Sequence, residues 1–113
     1  MTNEKSISID FSCIYDLVDI INYQQGSVVS RQLIKKKTGN VTIFAFDKDE
    51  GLSEHTAPFD AMVYVLDGEV EVKIADEKHV MKKGEIIVMP ANIPHALSAI
   101  KQFKMLLIMI KDN

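Results

Sequence analysis

Tryptophan is absent from this sequence, and cysteine occurs only once, at Cys13. A single cysteine excludes a disulfide bond within the chain and leaves too few thiolates for a zinc site built on cysteine. Cys13 lies in an apolar stretch with helix-like spacing. We therefore expect a buried, inert thiol at this position.

Excess positive charge is also missing. The chain has 13 Lys and Arg residues against 16 Asp and Glu residues, which gives a formal net charge of −3. Nucleic-acid binding requires a basic face, so the charge balance argues against a nucleic-acid partner. The short basic run Lys35, Lys36 and Lys37 is better explained as a solvated strand end beside a turn.

Long apolar runs are missing as well. No run approaches the roughly 20 residues that a membrane-spanning helix needs. Residues 1–9 also lack the sustained apolar core of a signal peptide. These absences lead us to expect no membrane partner and a cytoplasmic location.

The length of 113 residues suits one domain, covering residues 1–113. Residues 1–9 are predicted to form a loose arm or an edge strand. Residues 10–21 (DFSCIYDLVDII) place apolar side chains at spacings of three and four. This spacing predicts a short amphipathic N-terminal helix.

From residue 28 onward the pattern is typical of strands separated by turn residues. Asp67-Gly68 is the strongest hairpin signal, and Thr38-Gly39-Asn40 is a second predicted hairpin turn. Residues 47–53 are predicted as a charged loop. The series indicates an all-β protein, either an antiparallel barrel or a two-sheet sandwich. The predicted strands cover residues 28–36, 41–46, 62–66, 69–74, 79–81, 86–89, 96–100 and 103–110.

Two stretches each place one histidine beside an apolar strand. In GLSEHTAPFDAMVYVLDGEVEV (residues 51–72), a polar loop brings His55 and Asp60 to the start of a β-branched strand. In GEIIVMPANIPHAL (residues 84–97), a Pro-rich bend precedes His95. Two such halves predict one shared pocket, which Met62 and Met89 would help to line because methionine adapts to irregular apolar cavities. Ordinary core packing is the simpler explanation of both methionines.

The second stretch resembles the second motif of the cupin superfamily, G-x5-P-x-G-x2-H-x3-N. Gly84, Pro90 and His95 stand at the family spacing. Asn92 replaces the motif's second glycine, and Ala99 replaces its final asparagine. The change at Asn92 is mild, because asparagine tolerates positive φ better than most residues.

The first stretch resembles the first cupin motif, G-x5-H-x-H-x(3,4)-E-x6-G, in the spacing of its positions. Two of the metal-binding residues of that motif are replaced. Counting back from Gly68 puts Ala61 at the glutamate, Ala57 at the second histidine and His55 at the first. The opening glycine falls at Asp49. The resemblance spans residues 49–99 and implies a double-stranded β-helix, that is, a jelly-roll barrel, here with a short N-terminal helix.

Metal-binding cupins hold one divalent ion with three histidines and the glutamate, so the resemblance implies Fe, Mn, Zn or Ni as a candidate cofactor. Only His55 and His95 survive, whereas such metals usually need at least three protein ligands. Asp60 is the candidate third ligand. In a regular strand it points away from the face shared by positions 55, 57 and 61. An irregular turn at Pro58 would bring it inward; otherwise it braces the loop there.

Three functions remain open. The first is a barrel that binds a small, partly apolar organic molecule without a tightly held metal, because Ala57 and Ala61 remove donors and enlarge the cavity. The second is a metal-dependent enzyme of the dioxygenase, isomerase or decarboxylase type that uses His55 and His95 with Asp60 or water. The third is a non-catalytic sensor or interaction module. The resemblance, the surplus apolar surface and the frequency of two-fold oligomers all favour a homodimer.

Three further side chains have simple explanations. His79 is expected at the surface, and Tyr64 in the core or at an interface. Arg31 is a possible anion contact, but an exposed strand arginine is the simpler interpretation.

Overall fold

The computed structural model describes residues 9–113, and every regular element within them is a β-strand. The expectation of an all-β protein is confirmed, and the predicted bounds of the first, fifth, seventh and ninth strands match the structure. The strands are β1 (Val28–Lys36), β2 (Gly39–Phe46), β3 (Gly51–His55), β4 (Asp60–Asp67), β5 (Glu69–Ile74), β6 (Glu77–Lys82), β7 (Ile86–Met89), β8 (His95–Ala99) and β9 (Phe103–Ile110).

The strands form two antiparallel sheets. One sheet has five strands in the order β1-β2-β9-β4-β7, and the other has four in the order β3-β8-β5-β6. The chain crosses between the sheets several times, for example from β2 to β3 and from β4 to β5. β9 lies in the middle of the five-stranded sheet and pairs with β2 on one side and β4 on the other.

The main core lies between the two sheets, in a space that we call the interior. Alternation along β4 shows how it forms: Ala61, Val63 and Val65 are buried in this core, whereas Met62 and Tyr64 point to the opposite face. Aromatic stacking contributes as well, since the rings of Phe46 and Phe103 lie 4.4 Å apart and nearly parallel. The other buried members are Val70, Val72, Met81, Met89, Leu97, Ala99, Met105 and Leu107.

A second core lies on the outer face of the five-stranded sheet, under residues 9–27, which we call the strap. Ile21 is buried there, and Leu17 and Ile20 pack beside it. The sheet contributes mainly Ile43, Ala45 and Leu66.

Side chains of the sheet also bind the backbone of the strap. Lys104 donates from Nζ to the carbonyl oxygen of Val18 at 2.6 Å, and Arg31 donates to that of Ile20 at 2.8 Å. The expectation that Arg31 is a plain exposed arginine is therefore wrong, because its guanidinium helps to hold the strap. Tyr23 donates its hydroxyl hydrogen to Asp67 at 2.5 Å. Burial, followed by this contact with Asp67, raises the pKa of Tyr23.

The predicted N-terminal helix is wrong. Residues 10–21 form turns and irregular backbone instead. Ser12 adopts a φ of 66°, which a right-handed helix does not allow. The Asp16 carboxylate accepts a hydrogen bond from the Val18 amide at 3.2 Å, and this local contact competes with helical pairing. The arm or edge strand predicted for residues 1–9 lies outside the described residues, apart from Ile9.

The expected burial of Cys13 is also wrong, since the residue is exposed. Its prediction depended on the helix, which would have turned one face of residues 10–21 onto the sheet. In the irregular strap, the neighbouring Ile14 is fully exposed as well.

The predicted hairpin at Asp67-Gly68 is wrong too, because β4 and β5 belong to different sheets. Gly68 has a φ of 79° and forms the corner where the chain passes from one sheet to the other. The hairpin predicted at Thr38-Gly39-Asn40 does exist. Lys36 pairs with Gly39, so its loop consists of Lys37 and Thr38. The charged loop predicted for residues 47–53 is shorter than expected, because β3 begins within it.

Candidate functional site

His55 and His95 face each other across neighbouring strands of the four-stranded sheet. They are direct partners in the pairing of β3 with β8. Their ring centroids lie 4.4 Å apart, with the ring planes inclined by 69° in an edge-to-face arrangement. The two motifs therefore bring their histidines into contact, as the sequence predicts.

A β-bulge places His55 on the inner face of the sheet. Leu52 pairs with Leu97 and His55 pairs with His95, so three steps along β3 match two steps along β8. Leu97 is buried in the main core, and its strand alternation puts His95 on the same face. Without the extra residue in β3, position 54 would take the place of His55.

Both rings are anchored in the same way. The Nδ1 atom of His55 lies 2.8 Å from the carbonyl oxygen of Ser53, and that of His95 lies 3.2 Å from the carbonyl oxygen of Ile93. A carbonyl oxygen only accepts, so each Nδ1 carries the hydrogen. In a neutral ring Nε2 then has a free lone pair. Within residues 9–113 neither Nε2 has a hydrogen-bonding partner.

The two histidines differ in burial. His95 is 5% exposed, whereas His55 is exposed. Burial lowers the pKa of His95, and the charge of a protonated His55 lowers it further, against the hydrogen bond to Ile93 that raises it. His95 is therefore neutral at neutral pH, and it is the inner member of a pair whose other member reaches the solvent.

The side chains around the pair are apolar and only partly buried. Leu52 and Ile74 pack against the main core while remaining partly exposed. Leu52 pairs with Leu97, two residues from His95, and Ile74 is the direct strand partner of His95. The pair therefore lies at the edge of the main core, with His55 exposed to solvent.

The two predicted pocket methionines occupy opposite faces of the five-stranded sheet. Met89 is buried in the main core and pairs with Ala61. Met62 is partly buried and lies on the outer face, because it stands between Ala61 and Val63 in the strand and points to the side opposite theirs. The structure thus brings Met89 to the interior and leaves Met62 outside it.

Asp60 is not brought to the histidine pair. It is exposed, lies on the outer face of β4, and accepts a hydrogen bond from the Ala91 amide at 3.0 Å. Next to this contact, the Asn92 amide donates to the carbonyl oxygen of Ala57 at 2.8 Å. Asp60 thereby braces the bend of the second motif against the first, a role that the spacing of the two motifs does not reveal.

The residues present do not fit a tightly held transition metal. Ala57 and Ala61 offer no donor at the two lost positions, and Ala61 is packed in the main core. Nowhere in residues 9–113 do three or more His, Cys, Asp or Glu side chains come close enough to hold one ion. Two imidazoles alone are fewer than the three protein ligands that such sites usually have.

The backbone of both motifs is intact although the metal ligands are not. Asp49 and Asn92 stand at glycine positions of the motifs and have φ values of 73° and 65°. Such values favour glycine, and Asn and Asp are the side chains that tolerate them best. The substitutions therefore preserve the bends that aim His55 and His95 inward.

Two remaining expectations concern side chains away from the pair. His79 is partly exposed on β6 and lies 3.7 Å from the Glu77 carboxylate. Tyr64 packs against the second core on the outer face of the sheet. Within the described residues, no helix has the length and apolar character needed to cross a membrane.

Comparisons with known proteins identify a family. The cupin domain family profile matches residues 42–111. A conserved protein of unknown function from Streptococcus pyogenes has 35% sequence identity, with coverage of 100% of this chain and 97% of that chain and a TM-score of 0.89. No curated protein matches the chain.

Two further solved structures are similar. A cupin 2 conserved barrel domain protein from Leptotrichia buccalis has 45% identity over 86% of this chain, with a TM-score of 0.83. The match covers 47% of that protein, so this chain spans about half its length. A cupin superfamily protein from Desulfitobacterium hafniense has 24% identity, with coverage of 96% and 100% and a TM-score of 0.87, a similarity that concerns the fold alone.

Proposed function

The chain belongs to the cupin family, and from that premise we propose that it binds a small, partly apolar organic molecule at the His55–His95 pair. The observation that carries this proposal is the pair itself. The rings lie 4.4 Å apart on the inner face of the sheet, each with Nδ1 anchored and Nε2 available. Two oriented polar groups on an apolar wall are what a small-molecule site needs for orientation and specificity.

The lost ligand positions support binding without a metal. Ala57 and Ala61 replace two larger, polar side chains of the metal-binding motif, and neither alanine offers a donor atom to a metal. The half-buried Leu52 and Ile74 flank the pair and supply further apolar contact.

Binding can be tested with a set of small alcohols, phenols and carboxylates, using NMR detection of ligand contact with the purified protein. We expect binding that His55→Ala removes and that His79→Ala, a change at a histidine two strands away from His95, leaves intact. Metal content per chain is measured by elemental analysis on the same sample. One tightly bound metal per chain would overturn the proposal, and so would equal binding by the parent and by His55→Ala.

We also propose that the protein forms a homodimer through the part of the outer face of the five-stranded sheet that lies beside the strap. Apolar side chains run in one row across all five strands, through successive strand partners. Four strand spacings of about 4.8 Å make the row about 19 Å long, about two thirds of the side of the ~800 Å² patch that each partner buries in a standard interface. The row consists of Ile34, Val41, Ile108, Met62 and Val88.

A second copy is the occupant that fits this face, because a continuous apolar row can pair with itself about a two-fold axis. Val88 is 51% exposed at the edge of the row, and Val80, on the other sheet, is 54% exposed. Sedimentation should show a dimer for the parent and for Val80→Lys, and a monomer for Val88→Lys. A monomeric parent, or a dimer that Val88→Lys leaves unchanged, would refute the proposed interface.

A further inference from the structure

We propose that the His55–His95 pair selects an uncharged molecule that carries two neighbouring hydroxyl groups on an apolar chain. The inference rests on the proposed binding function and narrows it to a chemical class. It excludes simple anions and cations as the preferred ligands.

The first step concerns hydrogen bonds. Each Nδ1 already donates to a backbone carbonyl, at Ser53 or Ile93. In the neutral pair both Nε2 atoms are therefore acceptors, and a bound molecule must supply the hydrogens. Because the rings are in contact, one small molecule can reach both. Two donors on adjacent carbon atoms suit a pair of rings whose centroids lie 4.4 Å apart.

The second step concerns charge. Within residues 9–113 the buried polar or charged side chains are His95 and Lys104, and Lys104 binds the strap on the outer face of the other sheet. The described part of the chain therefore has no buried carboxylate to stabilise a protonated ring or a cationic ligand.

The charged groups on the strands around the pair are already engaged outside the interior. Glu54 and Lys73 form an ion pair at 3.3 Å, with both side chains substantially exposed. Asp60 accepts from the Ala91 amide on the outer face of β4. An anion would thus face the lone pairs of two rings, and it would lose hydration on an apolar wall where none of the described cationic side chains is directed at it. An uncharged donor meets neither cost.

The third step concerns the rest of the ligand. Leu52 and Ile74 flank the pair on the neighbouring strand positions, since Leu52 pairs with Leu97 and Ile74 pairs with His95. These half-buried side chains would cover an alkyl or ring portion next to the hydroxyl groups. A fully polar polyol would leave most of its hydroxyls without partners there.

The test uses three probes of equal chain length: hexane-1,2-diol, hexane-1,6-diol and hexanoate. Protein with ¹⁵N-labelled histidine is titrated above the ordinary histidine pKa of about 6.5, and the ring nitrogen shifts are recorded. The 1,2-diol should move Nε2 of both His55 and His95. It should bind roughly fivefold tighter than the 1,6-diol, since one additional hydrogen bond contributes about 1 kcal/mol.

Variants separate this effect from general apolar binding. His55→Phe keeps an aromatic ring but removes one acceptor, and it should abolish the preference between the two diols. His79→Phe is the matched control and should keep the preference. Because His55 is exposed, its variant is expected to fold even if a change at His95 does not.

The outcomes distinguish the two proposals. Equal binding of the two diols, or tighter binding of hexanoate at the histidines, would overturn the diol preference and leave the proposed binding function standing. If none of the three probes shifts either histidine, the diol preference is refuted, whereas the broader probe set decides the binding function. A diol preference that survives in His55→Phe would also overturn the inference.

Discussion

Replacing Gly68 with alanine tests the corner at which the chain passes from β4 in one sheet to β5 in the other. The φ of Gly68 is 79°, and this conformation costs an L-residue roughly 1–2 kcal/mol. A Cβ atom at this position would also overlap the carbonyl oxygen of Gln102 and lie 2.7 Å from the Cα atom of Phe103. Both neighbours are backbone atoms, and Phe103 is fully buried, so neither can move without shifting the start of β9.

Overpacking of this kind typically costs about 1–3 kcal/mol. Together with the backbone strain, we expect Gly68→Ala to lower the free energy of unfolding by about 2–5 kcal/mol. This is a large share of the 5–15 kcal/mol that is usual for a folded domain. The melting temperature should fall by at least about 8 °C.

Two other glycines separate strain from crowding. Gly84 has a φ of 90° but open space around its Cβ position, so Gly84→Ala measures strain alone. Gly51 has no unusual φ, but its Cβ would overlap the carbonyl oxygen of Leu97, so Gly51→Ala measures crowding alone. Urea denaturation of the three variants gives the free energies. If Gly68→Ala loses no more stability than Gly84→Ala, the close approach of Gln102 has no energetic role and the reasoning is refuted.

Three further predictions concern single positions. Ala75 has a φ of 53°, so Ala75→Gly should raise the free energy of unfolding by about 0.5–1 kcal/mol. Ala91→Gly, at an ordinary φ, should lower the free energy of unfolding. Equal effects of the two substitutions in thermal denaturation would contradict this. Tyr23→Phe removes the hydrogen bond to the Asp67 carboxylate and should cost about 1.5 kcal/mol in urea denaturation; an unchanged midpoint would show that the contact is not stabilising. The folded-state pKa of His95 is lowered, so the unfolded chain binds a proton at His95 before the folded protein does as the pH drops. The parent should therefore lose stability relative to His95→Gln below about pH 6.5. A difference in stability that does not change with pH would contradict the burial of a neutral imidazole.

Local patterns in the sequence predict much of the fold. β-branched and aromatic residues mark the strands well, and the bounds predicted for β1, β5, β7 and β9 agree with the structure. The pairing of strands is harder to predict, because it depends on contacts between residues far apart in the chain. Asp67-Gly68 has the composition of a tight hairpin turn, but the strands on either side pair with β9 and β8 instead of with each other.

The failed helix prediction has a local cause that periodicity hides. Residues 10–21 have helical apolar spacing, yet Ile14 is fully exposed and only the later apolar residues reach the sheet. Asp16 hydrogen-bonds to the nearby backbone, and Ser12 takes a left-handed conformation. A short segment with two such residues gains more from packing on the sheet as an irregular strap than from forming three helical turns.

The candidate site is predictable in its members and less so in its geometry. The two motifs predict that His55 and His95 meet, and their rings do lie in contact. Their function remains a proposal. The bulge in β3 that turns His55 inward leaves no clear signal in the sequence. The contact of Asp60 with Ala91 is equally hidden, since it depends on how the two motifs dock.

The central position of β9 has a consequence for synthesis on the ribosome. β9 follows all the other strands in the chain, yet it joins the β1–β2 hairpin to the β4–β7 pair. Until residues 103–110 emerge, these two pieces of the five-stranded sheet have no strand between them, and both would expose apolar edges. A nascent chain of this protein is therefore expected to complete its core only after nearly all of residues 1–113 have been made, and to depend on chaperones or rapid final folding up to that point.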